Sequence, residues 1–267
     1  MSIGLYLQGL GVMAGLAVLT WLLSVFKRDV SIVDSIWSLM ILAGGGVYLL
    51  GAPAIDARTT VIVVLLTLWA LRLSAHLTWR NWGEPEDRRY RAIRTKYSPH
   101  FAVKSLGIVF LLQAALAWII SLPLWPGLSA GAAWHPLDWL AVLLVSAGIA
   151  FEALADWQLA RFKSDPANAG QVMDRGLWRY SRHPNYFGEA TIWWGFYLFA
   201  LGAGAWWTLP APLLMTWLLL KFSGVVMLEE TIVERRPAYR AYIDATNAFI
   251  PGPPKRPRAG AQRGASS

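Results

Sequence analysis

One short stretch of the chain, SRHPNYFGE, combines four side chains that could do chemistry. Arg182 and His183 can carry positive charge. Asn185 offers an amide that donates and accepts hydrogen bonds, and Glu189 offers a carboxylate. Asn185 and Glu189 are four residues apart, so a helix places them on the same face. Because the sequence after Glu189 is mostly apolar, the carboxylate needs a polar partner or a wet cavity, and the stretch is a candidate functional site.

Further polar residues lie within apolar segments. Arg72 and His76 are one helical turn apart, and so are Glu152 and Asp156. The remaining residues of this kind are Asp34, Lys221, Glu229 and Glu230. For any single one, the favoured interpretation is a structural ion pair or hydrogen bond between helices. Several helices contribute together, however, and this pattern predicts a polar cavity that opens to the cytoplasm.

Cations near the opening of this cavity could bind phosphate groups, because arginine offers a planar, bidentate donor. They are Arg161, Lys163, Arg179 and Arg182. A phosphorylated cofactor is therefore the natural occupant. Asn185 and Glu189 could hold an uncharged amide such as a nicotinamide carboxamide, which needs an acceptor for its NH2 group and a donor for its carbonyl.

The composition places these residues in a membrane. Of 267 residues, 56% are hydrophobic and only 15% are charged, and the mean hydropathy is +0.41. The absence of cysteine excludes disulfides, thiolate nucleophiles and cysteine-ligated metals, and we expect no metal site. The net charge of +8 is typical of cytoplasmic loops and of contact with anionic lipid headgroups, so we expect membrane lipid, and no nucleic acid, as a partner.

Seven apolar segments are long enough to span a bilayer, and they predict an all-α bundle of seven transmembrane helices. They lie near residues 3–26, 30–51, 59–79, 105–125, 137–160, 186–206 and 209–233. Arginine and lysine cluster after the odd-numbered segments, which predicts an N-terminus outside and a cytoplasmic C-terminus. We expect one membrane domain over residues 1–252, a monomer, and a disordered basic tail over residues 253–267.

Two stretches carry a resemblance to known proteins. GLWRYSRHPNYFGE and, some forty residues later, LEETIVERRPAYRAYIDATNAFIP resemble the C-terminal half of the steroid 5-alpha-reductase superfamily. Within it, the chain resembles a bacterial branch described as a domain of unknown function. The RHPNY pattern is shared with sterol C14-reductases and, as RHPxY, with isoprenylcysteine carboxyl methyltransferases. The resemblance is good over residues 150–252, weaker over 69–90 and poor elsewhere.

The resemblance implies a seven-helix reductase of the bacterial inner membrane that binds NADPH and reduces the carbon–carbon double bond of a lipophilic enone, such as a 3-oxo-delta-4-steroid. It places cofactor positions on Asp156, Lys163, Arg179, Tyr180, Arg182, His183, Asn185, Tyr186, Glu189, Lys221, and the stretch from Glu229 to Tyr239, which includes Glu230 and Arg235. Arg72, His76 and Arg80 match positions that close over the cofactor. Where steroid enzymes bind the substrate ketone with a Gln–Glu pair and a tyrosine, this chain has Asp34–Ser35 and Trp69.

Enone reduction needs two protein groups. Hydride delivery to the β-carbon leaves negative charge on the carbonyl oxygen, which needs a hydrogen-bond donor, and the α-carbon then needs a proton. Asp34, in a low-dielectric helix, could stay protonated as the donor, and His76 is the second candidate catalytic residue. The alternatives are that His76 only contacts the cofactor, and that Asp34 pairs with Arg72 to hold helices together.

Two other functions remain open. The first is an S-adenosylmethionine-dependent methyltransferase on the same scaffold, which would act on a lipophilic carboxylate or amine. The amide of Asn185 together with the acid of Glu189 suits a nicotinamide, and so favours the reductase over the methyltransferase. The second is a transporter or lipid-binding protein whose buried charges line a path across the membrane. The sequence contains no inverted repeat and no pair of broken helices to support it. A pocket reached from the bilayer admits sterols, isoprenoids and quinone-like enones alike.

Overall fold

The computed structural model describes residues 2–222, 232 and 239–255, and within these residues the regular structure is helical, with no β-strand. The α-helices are α1 (Ile3–Lys27), α2 (Ile32–Leu49), α3 (Ala57–Asn81), α4 (Arg88–Lys96), α5 (Phe101–Ser105), α6 (Leu112–Ile120), α7 (Leu124–Ser129), α8 (Pro136–Ser164), α9 (Pro184–Gly202), α10 (Pro210–Trp217) and α11 (Tyr239–Ala245). Leu106–Leu111, between α5 and α6, and Leu218–Phe222, after α10, are π-helical. Short 3-10 turns cover Pro166–Asn168, Gly176–Arg179 and Trp206–Thr208.

Among the described residues, five helices are long and apolar enough to cross a membrane. They are Ile3–Lys27, Ile32–Leu49, Ala57–Asn81, Phe101–Ile120 and Pro136–Ser164, and they correspond to the first five predicted segments. This finding supports an all-α membrane protein. Five spans are fewer than the seven predicted, and the orientation stays a prediction.

The sixth and seventh predicted segments have a different outcome. The sixth forms α9, a helix of 19 residues. Its polar first turn and its many aromatic residues lower its hydropathy, so α9 is not among the five helices that are apolar enough to cross a membrane. The seventh is helical from Pro210 to Phe222. Its remaining residues, 223–233, lie outside the described part of the chain except for Ile232. A seven-span count therefore remains a prediction.

The chain divides into two compact units. Unit 1 contains Met1–Leu143 and Trp194–Pro212, and unit 2 contains Leu144–Trp193 and Leu213–Ser267. The chain passes from one unit to the other within α8, within α9 and within α10. Unit 1 therefore holds α1 to α7, and unit 2 holds the motif SRHPNYFGE.

Helices α1 and α2 of unit 1 pack closely because glycines face large side chains. A Cβ atom on Gly9 would lie 2.5 Å from Cε1 of Tyr48, and one on Gly44 would lie 2.1 Å from Cε of Met13. Tyr48 and Met13 are both fully buried. In a bilayer, where lipid is as apolar as leucine, such close packing is a main source of association between helices.

A buried ion pair stabilises unit 1 at the start of α3. The Arg58 side chain is only 3% exposed, and its Nε donates to Oδ2 of Asp138 at 2.9 Å. Its Nη1 donates to the carbonyl of Gly127 at 2.8 Å, and its Nη2 donates to the carbonyl of Phe199. The guanidinium thus connects α3, α7, α8 and α9. Nothing local in the sequence indicates that a carboxylate 80 residues away contacts Arg58.

Unit 2 is built on a close crossing of α8 and α9. A Cβ atom on Gly188 would lie 2.8 Å from Cβ of Glu152, 2.9 Å from its backbone nitrogen and 3.0 Å from the carbonyl of Gly148. One on Gly148 would lie 2.7 Å from Cγ1 of Ile192. Because Gly148 contacts Ile192 and Glu152 contacts Gly188, the two helices run antiparallel. Their backbones touch, and this contact fixes which side chains of α8 and α9 meet.

The Arg58–Asp138 pair gives the first prediction. Asp138→Asn leaves a buried guanidinium without its counter-charge, so we expect a loss of about 3–5 kcal/mol in the free energy of unfolding. The loss should appear as a lower melting temperature of the protein in detergent. Asp174→Asn, at an exposed aspartate, is the matched control and should melt like the wild type. Equal melting temperatures for the two variants would show that the pair is not needed.

The helix crossing gives the second prediction. Gly188→Ala forces a methyl group against backbone atoms that cannot move aside, so we expect a destabilisation of about 1–3 kcal/mol. Gly46→Ala is the control, because a Cβ atom there meets nothing within 4 Å. Thermal unfolding in detergent should separate the two alanine variants. A Gly188→Ala protein as stable as Gly46→Ala would contradict the close crossing.

Candidate functional site

Residues 178–182 of unit 2 hold the segment that contains α11. The Ser181 hydroxyl donates to the carbonyl of Phe249 at 2.7 Å, and the backbone N–H of Arg182 donates to the carbonyl of Asn247 at 2.9 Å. The Tyr242 hydroxyl donates to the carbonyl of Trp178. These contacts join two parts of the chain that are more than 60 residues apart.

The Arg182 guanidinium belongs to this arrangement. Its Nη1 donates to the carbonyls of Thr246 at 2.6 Å and Ile243 at 3.0 Å, and the residue is only 7% exposed. Carbonyls at the C-terminal end of a helix lack partners within the helix and carry partial negative charge, so a buried cation is well placed there. The sequence predicts that Arg182 binds a cofactor phosphate. In the structure its Nη1 contacts backbone carbonyls and so helps to position residues 243–246, and the cofactor role stays a prediction.

Helix α9 begins within the motif. His183 precedes the first helical residue, Pro184, whose missing N–H and fixed φ suit the first position of a helix. The backbone N–H of His183 donates to the Ser181 hydroxyl at 3.1 Å. The imidazole is buried and stacks on the ring of Tyr186, with centroids 5.4 Å apart and planes 8° from parallel. The predicted cofactor residues His183 and Tyr186 therefore lie together.

Two residues of α8 and two of α9 form a polar cluster, which we call the carboxylate cluster: Glu152, Asp156, Asn185 and Glu189. The three acids are buried and Asn185 is half-buried. The side-chain amide of Asn185 donates to Oδ1 of Asp156 at 3.2 Å. One turn further along, Glu152 packs against Gly188, the residue that precedes Glu189. The antiparallel crossing thus brings together the two polar pairs that the sequence identifies.

Glu189 is held from its own helix. The indole N–H of Trp193, one turn later on α9, donates to Oε1 of Glu189 at 3.1 Å. Trp193 is fully buried, so its ring also fixes the direction of the carboxylate. Because burial of an ionised carboxylate is costly without such donors, the arrangement indicates a built polar site.

An open cavity of about 620 Å³ lies beside the last turns of α8. It is lined by Trp157, Gln158, Arg161, Phe162, Ser164, Asp165, Asn168, Met173, Arg175 and Gly176. The Arg161 guanidinium lies 5.5 Å from the centre of the Trp157 ring. Side-chain Oε1 of Gln158 accepts from the backbone N–H of Leu177 at 2.9 Å, which holds the following loop against α8. Arg161, a predicted cofactor residue, lines this cavity. Arg175 also lines it, although the sequence analysis did not identify Arg175 as a cofactor residue.

The other predicted cofactor residues of unit 2 are spread more widely. Lys163, Arg179, Tyr180 and Lys221 are exposed. Tyr239 is buried, with its ring centroid 5.3 Å from that of Tyr242. Glu230 and Arg235 lie outside the described residues.

Unit 1 contains the remaining predicted residues. Arg72 and His76 are half-buried on α3, and Arg80 is exposed, with its Nε donating to Oδ1 of Asn81 at 3.1 Å. The His76 ring lies 6.3 Å from that of Trp79.

Asp34 has partners that the sequence does not predict. Its Oδ2 accepts from Nη2 of Arg89 at 2.9 Å, and its Oδ1 accepts from the Tyr90 hydroxyl at 2.6 Å. The ion pair with Arg72 that we considered is replaced by one with Arg89, because α4 lies against the start of α2. Both carboxyl oxygens lie within hydrogen-bonding distance of a donor, and the catalytic role expected of Asp34 stays a prediction. The donor in this cluster is Tyr90, and burial, together with the charge of Asp34, raises the pKa of its hydroxyl well above the ordinary value.

Comparison with known proteins identifies a family and no activity. Residues 20–246 match the family described as "Protein of unknown function (DUF1295)". A protein of Schizosaccharomyces pombe, described as "Uncharacterized protein C594.04c", is 29% identical over 265 residues, which cover 86% of this chain and 75% of the relative. No solved structure matches the chain. Because the matched residues span most of its length, the chain belongs to the DUF1295 family.

Proposed function

We propose that the chain is a membrane reductase that uses NADPH to saturate the carbon–carbon double bond of a lipophilic enone. The observation that carries the proposal is the carboxylate cluster, in which α8 and α9 bury three acids and an amide against each other. An intramembrane cluster of this kind marks a functional site by default. The resemblance of GLWRYSRHPNYFGE to the steroid 5-alpha-reductase superfamily, with which the DUF1295 family is associated, supplies the reaction class.

The cluster has the chemistry to hold a nicotinamide carboxamide. That group needs an acceptor for its NH2 and a donor for its carbonyl, and Glu189 and Asn185 offer these side by side on α9. Asp156 accepts one N–H of Asn185, and Trp193 donates to one oxygen of Glu189. Each of the two side chains is thereby oriented by a neighbour. The residues present fit the carboxamide.

The phosphates of the cofactor suit the open cavity at the end of α8. Arg161 and Arg175 line it, and both are exposed, so their guanidinium groups are available to a ligand. Lys163 and Arg179 are exposed on the same unit. In this assignment the phosphates are bound by residues other than Arg182, whose Nη1 contacts backbone carbonyls. The Arg182 contacts instead hold the segment of residues 243–249 beside the motif.

The reaction assigns distinct tasks to the chain. When bound, a reduced nicotinamide supplies the hydride that saturates the double bond. The protein must stabilise negative charge on the substrate oxygen and deliver a proton. We keep His76 and Asp34 as the candidates; the Tyr90 hydroxyl donates to Asp34 and orients its carboxyl group.

The cellular setting belongs to the same proposal. We propose seven spans, with α9 as the sixth and the segment from Pro210 as the seventh, and a cytoplasmic C-terminus in the bacterial inner membrane. The distribution of arginine and lysine supports this orientation. An S-adenosylmethionine-dependent methyltransferase is the competing function, and the pairing of an amide with a buried acid on α9 favours the reductase.

Glu189→Gln tests the proposal. Glutamine keeps the side-chain shape and an oxygen that accepts from Trp193, so the variant should express and fold like the wild type. It loses the charge-assisted bond to the carboxamide NH2, which is worth roughly 1.5–3 kcal/mol. We expect NADPH and NADP+ affinities, measured by titration calorimetry, to fall about tenfold to hundredfold.

Glu84→Gln is the matched control, because Glu84 is an exposed acid in unit 1. It should bind NADPH with wild-type affinity. If Glu189→Gln also binds NADPH unchanged and reduces an enone at the wild-type rate, Glu189 is a structural acid and the proposed nicotinamide site is incorrect.

A further inference from the structure

Helix α4 has two faces with different roles. Its inner face consists of Arg89, Tyr90, Ile93 and Arg94, which are buried or half-buried. Its outer face consists of Arg88, Arg91, Ala92, Thr95 and Lys96, which are all exposed. The two sets alternate with helical spacing, so the cations of this nine-residue helix are divided between opposite sides.

The inner arginines neutralise the acids of this region. Arg89 pairs with Asp34 at 2.9 Å and with Asp87 at 3.1 Å. Arg94 pairs with Glu86, with Nη2 and Oε1 2.6 Å apart.

Glu86 and Asp87, which pair with the inner arginines, remain charged at neutral pH. Partial burial acts to raise the pKa of Glu86, but hydrogen bonds from Arg94 and from the N–H of Val30 lower it below its ordinary value. Burial likewise acts to raise the pKa of Asp87, and the hydrogen bond and charge of Arg89 lower it overall. Glu86 and Asp87 thus pair with the inner arginines, whereas the outer face of α4 carries cations and no acid.

The surface around α4 is strongly basic and carries tryptophan. From Trp79 to Lys104, five cations and one acid are exposed: Arg80, Arg88, Arg91, Lys96, Lys104 and Glu84. Trp79 and Trp82, at the end of α3, are 66% and 80% exposed. Exposed indole rings at the end of a membrane-spanning helix are typical of the headgroup region, where one side of the ring meets lipid and the other meets water.

We propose that the outer face of α4 binds the headgroups of anionic phospholipids in the leaflet that surrounds this loop. The segment between Trp82 and His100 connects two helices that are apolar enough to span a membrane, so α4 is tethered to the bilayer at both ends. Basic residues next to spanning helices are attracted to anionic headgroups, and the exposed tryptophans favour a bilayer over a soluble acidic partner. The proposal does not depend on the reductase activity.

Lipid titration of the purified, delipidated protein tests this inference. Native mass spectrometry would count phosphatidylglycerol and phosphatidylcholine molecules bound to the wild type and to the double variant Arg88→Gln/Arg91→Gln. Each removed cation should weaken binding of the anionic lipid about fivefold, so the double variant should lose about twentyfold to thirtyfold. Binding of phosphatidylcholine should not change.

The double variant Arg240→Gln/Lys255→Gln removes two exposed cations from unit 2 and is the matched control. It should retain phosphatidylglycerol like the wild type, and all three proteins should have the same melting temperature. Equal retention of phosphatidylglycerol by the wild type and the α4 variant would overturn the proposal. The proposal would also fail if the wild type bound the two lipids equally. It would fail likewise if the α4 substitutions weakened binding of a DNA duplex but not binding of phosphatidylglycerol.

Discussion

The candidate site depends on the contact between the backbones of α8 and α9 at Gly148 and Gly188. A side chain at either glycine would collide with the other helix, so only this pair of residues permits the crossing. The crossing decides that Asp156 meets Asn185 and that Glu152 lies beside the turn containing Glu189. Hydrocarbon offers no partner to a buried acid, so Asp156 relies on Asn185 across the crossing, while Glu189 relies on Trp193 of its own helix.

The sequence predicts those parts of the structure that have a local physical cause. Hydropathy identifies the five spans, because each needs only its own run of apolar residues. Helical spacing predicts that Asn185 and Glu189 share a face and that Glu152 and Asp156 do too. Helix α9 is the exception, since its aromatic residues and polar first turn lower its hydropathy although its length suits a span.

The partners of buried charges are set by tertiary contacts, and the sequence does not predict them. Arg182 looks like a phosphate ligand from its charge and its motif, yet its partners lie 61 and 64 residues further on. Asp34 and Arg58 find their partners 55 and 80 residues away. A signal for Arg89 and Tyr90 exists in RRYRAIR, where these residues occupy the face opposite Arg88 and Arg91. It becomes informative only once α4 is known to be a helix.

In the proposed function, different residues of one motif bind the cofactor and hold neighbouring segments of the chain in place. Within SRHPNYFGE, Ser181 and Arg182 hold the segment of residues 243–249, while Asn185 and Glu189 carry the groups that could recognise a carboxamide. The central claim is that the chain binds a nicotinamide cofactor. Titration calorimetry of the full-length protein in detergent, with NADPH and with S-adenosylmethionine in separate runs, tests it most directly. The account predicts saturable NADPH binding much tighter than that of S-adenosylmethionine, and saturable S-adenosylmethionine binding with no NADPH binding would contradict it.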